Sequence, residues 1–154
     1  MHNRSKFLYS FSIALLSILI DQLSKYFVEN NLEIFINGLV ILEGVNLVYV
    51  QNKGISFGML SNFNITFFLG LLSLIISCYI FFLIFKSEDQ LEFTGLSLIL
   101  GGALGNGFDR LKNGYVIDFI DIYYNNLHWP AFNFADSFIT IGAILFFYCI
   151  FVKK

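Results

Sequence analysis

Residues 63–85 run for 23 positions without a charged side chain. At about 1.5 Å per residue a helix of that length covers ~35 Å, enough to cross the ~30 Å hydrocarbon layer of a bilayer. The rest of the chain agrees with a membrane setting. Only 13% of its residues are charged, against about a quarter in an ordinary soluble domain. Three further segments read as spans: residues 131–152, with Asp136 as their one charge; 93–111, charged at the far end by Asp109 and Arg110; and 7–28, apolar as far as Ile20 and then continuing through Asp21, Gln22 and Lys25. We therefore expect one domain over 1–154, a membrane all-α core of four transmembrane helices. The first span has Arg4 and Lys6 ahead of it, like a secretory leader, but no A-x-A cleavage pattern follows. It is expected to be retained.

Positive charge sets the orientation. Arg4, Lys6, Lys86, Lys153 and Lys154 all fall in segments that share one side if both termini are cytoplasmic. Loops 29–62 and 112–130 then face outward, with Tyr123, Tyr124 and Trp129 as interface anchors. The first loop is too long for a simple hairpin. Its stretches 39–42 and 45–50 are apolar and rich in β-branched residues, and Glu43-Gly44 separates them. They predict short strands of a small β-sheet on the outer surface, to which residues 115–124 can add.

The net charge of −2 and the scattered basic residues give no argument for a nucleic-acid partner, no RNA or DNA motif is present, and none is expected. Cys78 and Cys149 lie inside apolar runs and read as small apolar fillers of membrane helices. His2 and His128 have no second His or Cys at ligand spacing, so no metal site and no cofactor is expected.

An ionisable side chain in a span costs at least ~2.5–3.5 kcal/mol at the helix centre, so each needs a reason. Ser10, Ala14, Ser17, Asp21 and Ser24 share a stripe of the first helix, and Lys25 is one turn beyond Asp21 and can pair with it. The third helix carries GGALGNGFDR at 101–110, where Gly102, Asn106 and Arg110 share a face. Its glycines allow close helix approach; Asp109–Arg110 as an interfacial ion pair is the plainer alternative. The fourth opens with Asn133, Asp136 and Thr140 on one face, and a carboxylate at a helix N-terminus also serves as a simple cap. Asp118, within VIDFID, lies in the adjacent outer loop. Folded back over the fourth helix, it would meet Asp136. Two such carboxyls cannot both ionise comfortably, so one keeps a proton. The ionised member can activate water while the protonated one polarises a peptide carbonyl and later protonates the leaving amine.

Five blocks in this order resemble the bacterial lipoprotein signal peptidases, or signal peptidase II: DQLSK at 21–25, NKGISFG at 52–58, GGALGNGFDRL at 101–111, VIDFID at 116–121 and FNFADSFITIG at 132–142. The resemblance implies an aspartyl endopeptidase with Asp118 and Asp136 as catalytic pair, supported by Asp21, Asn52, Gly54, Asn106, Arg110 and Asn133. It implies diacylglyceryl-modified prolipoproteins as substrates, cut just before the lipidated cysteine. The expected setting is the bacterial cytoplasmic (inner) membrane, with the site facing outward, membrane lipid as a partner and a monomeric protein.

Two other readings compete. Intramembrane acids also mark proton-coupled carriers, but those place sites near the midplane between repeated halves, and no repeat is present here. A Ser–Lys peptidase would use Ser24 with Lys25, or Ser56 with Lys53. Adjacent helical residues point apart, and the second pair has no apolar pocket to activate its lysine.

Overall fold

The computed structural model describes residues 3–54 and 65–153. Four long helices form the body: α1 (Asn3–Asn30), α3 (Thr66–Lys86), α4 (Gln90–Asn113) and α5 (Phe134–Tyr148), the last extended by a π-helical turn, Cys149–Lys153. A single turn of helix, α2 (Leu32–Phe35), follows α1. A four-stranded antiparallel sheet is built from β1 (Leu39–Leu42), β2 (Val45–Asn52), β3 (Val116–Tyr124) and β4 (Leu127–His128), in that order. The strands expected at 39–42 and 45–50 are present, turning through Gly44 at φ +91°, and the 115–124 stretch joins them as β3.

Three helices are long and apolar enough to cross a membrane by length and composition: Arg4–Asn30, Thr66–Lys86 and Phe134–Val152. Their burial runs opposite to that of a soluble bundle. In α1 the inward stripe is Lys6, Ser10, Ala14, Ser17, Asp21 and Lys25, while Leu8, Phe11, Leu16, Leu23 and Phe27 point out. Apolar side chains outside and polar ones inside suit a hydrocarbon solvent. Helix α4 is less apolar than these three, for a physical reason. It packs against α1, α3 and α5, and none of its residues 93–107 is exposed. Glycine, Ser97, Asn106 and Asp109 replace the leucines that a lipid-facing helix would need.

Both ends of α4 and the end of α3 are capped. Asp89 caps α4 by accepting from Leu91 N (2.9 Å) and Glu92 N (3.2 Å). Lys6 is buried, and its ammonium donates to the carbonyls of Phe85 (2.9 Å) and Ser87 (2.6 Å) at the end of α3. Lys6→Met should leave both carbonyls short of a donor and destabilise the protein by about 1–3 kcal/mol, read as a lower thermal midpoint in detergent. At the other end of α4, Gly114 adopts a left-handed cap with φ +75° and its N–H bonds Arg110 O. That reversal sends the chain from α4 directly into β3.

Helix α5 begins at Phe134 and not at 131, because the segment before it is paired with β3. Phe132 N donates to Ile120 O (3.0 Å), and Phe132 O accepts from Phe119 N (3.0 Å) and Ile120 N (2.8 Å). This brings the start of α5 alongside Asp118.

Candidate active site

Helix α5 opens with a capping box. Asn133 is its N-cap; its Oδ1 accepts from Asp136 N (2.9 Å), and Asp136 Oδ2 accepts from Asn133 N (3.3 Å). The capping role weighed for Asp136 from the sequence is thus real, but it occupies one oxygen. The other, Oδ1, accepts from Asn106 Nδ2 at 2.8 Å. Asn133 also turns its Nδ2 to Asp118 Oδ1 at 2.7 Å. One asparagine therefore touches both aspartates.

Asp118 sits on β3, nearly buried, with Val50 as its cross-strand partner. Asn52, at the end of β2, donates from Nδ2 to Asp118 Oδ2 at 2.9 Å and accepts from Gly54 N at 3.0 Å. Arg110 closes the circuit, donating to Gly54 O (3.2 Å) and weakly to Asn106 O (3.4 Å). Its Nε is buried without a partner among the described residues. Of the NKGISFG block, residues 55–58, Ser56 included, lie outside the described residues.

These side chains border a cleft of about 600 Å³. Asn52, Asn106, Arg110, Asp118 and Asp136 line its polar side; Val116, Trp129, Phe132, Ile139 and Ile141 line its apolar side. Burial raises the Asp118 carboxyl, and the negative charge of Asp136 raises it further. Hydrogen bonds from Asn52 and Asn133, and the Lys25 ammonium, pull it back, leaving it at about 6. Such a carboxyl keeps its proton far better than an ordinary aspartate, as acid–base work near neutral pH requires.

Asp21, Gly54 and Asn133 do not line the cleft. Asp21 is fully buried behind it: Oδ1 accepts from Ala135 N (2.9 Å) and Oδ2 from Lys25 Nζ (2.7 Å). Lys25 also binds Asp109 Oδ2 (2.7 Å) and Asn106 Oδ1 (2.9 Å). Asp109 therefore pairs inward with Lys25, and the Asp109–Arg110 interfacial pair is not what forms. The same bonds engage Lys25 fully, which removes Ser24–Lys25 as a nucleophile–base pair; Ser24 Oγ donates to Asp21 O at 2.7 Å. His128 joins Asp121 through Nδ1 at 2.9 Å, away from the two aspartates of the cleft. Among the described residues no group of three His, Cys, Asp or Glu side chains is placed to hold a metal.

The comparisons with known proteins agree along nearly the whole chain. The family model described as Signal peptidase (SPase) II matches residues 13–152. The lipoprotein signal peptidase of Thermodesulfovibrio yellowstonii is 47% identical over 143 residues, covering 92% of this chain and 94% of that protein. The lipoprotein signal peptidase of Polynucleobacter necessarius is 45% identical, covering 87% and 83%. Two solved structures of a bacterial membrane enzyme obtained by the in meso method, at 2.3 Å and 1.9 Å, superpose with TM-scores of 0.83 and 0.81. Each is 30% identical in sequence; they cover 94% and 95% of this chain and are themselves covered to 88% and 94%. A fold of helices and a small antiparallel sheet, a polar cleft and this degree of likeness lead to one conclusion: the chain belongs to the signal peptidase II family of membrane peptidases.

Proposed function

We propose that this protein removes signal peptides from diacylglyceryl-modified bacterial prolipoproteins, cutting just before the lipidated cysteine, with Asp118 and Asp136 as its catalytic pair. The observation that carries the proposal is the contact of Asn133 with both carboxylates at the edge of one cleft. In the productive state the pair holds one proton. The ionised member takes a proton from water as that water attacks the scissile carbonyl. The protonated member hydrogen-bonds the carbonyl oxygen, then the leaving amine receives a proton as the C–N bond breaks. Asn52, Asn106 and Asn133 hold the two carboxyls, while the Arg110 guanidinium, at the edge of the cleft, suits a carbonyl of the substrate.

The topology that accompanies this reading has α4 as a fourth span, one domain over 1–154, and both termini in the cytoplasm. The sheet and the two aspartates then lie at the outer surface of the bacterial cytoplasmic (inner) membrane. Support comes from the charges: Arg4, Lys6 and Lys86 gather at one end of the bundle, and Asp118 and Asp136 at the other. A diacylglyceryl anchor would hold the scissile bond at that surface, its tails in membrane lipid beside Ile139 and Ile141. The extended signal segment would pair with the sheet, in which β1 is an edge strand. The protein acts as a monomer in this reading. The carrier alternative finds no support among relatives that are peptidases.

Purified protein should cleave a lipid-modified precursor at least ~10²-fold faster than the same precursor lacking the lipid, because anchor binding energy positions the bond. A chelator should leave the rate unchanged. Equal cutting of both precursors, or cleavage at another bond, would contradict the assignment.

A further inference from the structure

The ammonium of Lys25 uses all three of its donors, on Asp21 Oδ2, Asp109 Oδ2 and Asn106 Oδ1. The bond to Asn106 has a directional consequence. An amide whose oxygen faces an ammonium must present its NH₂ group on the other side, and here that group donates to Asp136 Oδ1 at 2.8 Å. Reversed, Asn106 would set oxygen against carboxylate and NH₂ against ammonium. The bond to Asp21 acts on the backbone: the other oxygen of Asp21 holds Ala135 N–H, one residue before Asp136 in the first turn of α5. Asp109 keeps the ammonium in place, and Gln22 Nε2 bridges Asp21 (3.2 Å) and Asp109 (3.0 Å).

We infer that Lys25 and Asp109, neither of which lines the cleft, are positioning residues for peptide cleavage: Lys25 orients Asn106 and the first turn of α5 so that Asp136 meets its partner, and Asp109 sets the strength of the Lys25 field there. The inference rests on Asp118 and Asp136 being the catalytic pair. Around that pair the charged groups are Lys25 and Asp21 from α1 and Asp109 and Arg110 from α4. The Lys25 charge reaches Asp118, where it opposes burial. Removing the cation therefore moves the titration of Asp118 to higher pH. Removing the negative charge of Asp109 moves it downward. A role confined to packing would lower activity in both variants without opposite displacements.

The test is the pH profile of kcat for the full chain in detergent on a diacylglyceryl-modified precursor, comparing wild type, Lys25→Met, Asp109→Asn and Asp118→Asn. Lys25→Met should lose on the order of 10²-fold in kcat with little change in KM, and its profile should move up by about one pH unit. Asp109→Asn, whose side-chain oxygen can still accept from Lys25, should lose less and move down. Displacement of both in the same direction, or of neither, would overturn the inference. Should Lys25→Met fail to fold, Asp109→Asn decides alone: a downward displacement supports the assignment, and none or an upward one overturns it. A wild type that does not cleave, or an Asp118→Asn variant that does, overturns instead the underlying reading of the pair, and the inference with it.

Discussion

Replacing Asp118 or Asp136 with asparagine should lower kcat on a lipid-modified precursor by on the order of 10⁴-fold while leaving the protein folded. The size follows from chemistry: an amide neither takes a proton from water nor delivers one to an amine. The survival of the fold follows from geometry. In Asp136→Asn the side-chain oxygen can still accept from Asn106 or from Asn133 N, so part of the capping box persists. In Asp118→Asn the new NH₂ group faces the NH₂ of either Asn52 or Asn133, since both donate to this side chain. An opposing gain accompanies that mismatch. The Asp118 carboxyl rises from 3.8 to about 6 in the folded protein, so its contribution to stability is fully present below pH 3.8 and is lost as pH rises through 6. The asparagine has no charge to bury. Relative to wild type, Asp118→Asn should therefore be more stable at pH 7.5 than at pH 4, which paired thermal unfolding curves will show.

The second large effect is steric. Helices α4 and α5 touch backbone to backbone: a Cβ on Gly142 would lie 2.5 Å from Gly95 O, and one on Gly95 would lie 2.7 Å from Gly142 O. At Gly102 a Cβ would fall on the carbonyl oxygen of Ala135 and within 2.7 Å of Ile139 Cγ1. Neither backbone can give way without moving the first turn of α5. Gly102→Ala should cost about 1–3 kcal/mol. It should also lower kcat by roughly 10²-fold, because it displaces the turn that carries Asp136. Gly114→Ala is the contrast. Nothing lies within 4 Å of its Cβ, but φ is +75°, so the cost is conformational, about 1–2 kcal/mol. It should lower the thermal midpoint while leaving kcat of the folded enzyme near wild type. Equal kcat losses in the two variants would argue against a close α4–α5 contact as the support of the site.

Much of this architecture is legible in local sequence. Twenty-three uncharged residues at 63–85 need no tertiary information to be read as a span, and Glu43-Gly44 between two β-branched runs marks a hairpin. Among the residues that meet around Asp118 and Asp136, Asn106, Arg110 and Asn133 are legible as polar groups in apolar surroundings, whereas Asn52 and Gly54 come only from the family resemblance. What escapes is long-range. Asp109 stands beside Arg110 in the chain, so an ion pair between them is the economical local reading. Its real partner, Lys25, is 84 positions away on another helix. The signal available was energetic: Asp21 alone cannot fill the three donors of a buried ammonium, which called for further acceptors. Helix α2 escaped for a different reason. Four residues are too few for a periodic pattern, and this turn forms because Phe35 packs under the sheet against Val28, Ile117 and Phe119. The late start of α5 is likewise set by pairing of Phe132 with β3, which no helix propensity records.

The account stands on Asp118 and Asp136 acting as one unit. Groups that share a catalytic step are not additive: once either is lost, losing the other costs little more. The most direct measurement is kcat for wild type, Asp118→Asn, Asp136→Asn and the double variant under one set of conditions. A double variant within a few-fold of either single variant is the predicted result. Losses that multiply, or a single variant that keeps wild-type activity, would contradict it.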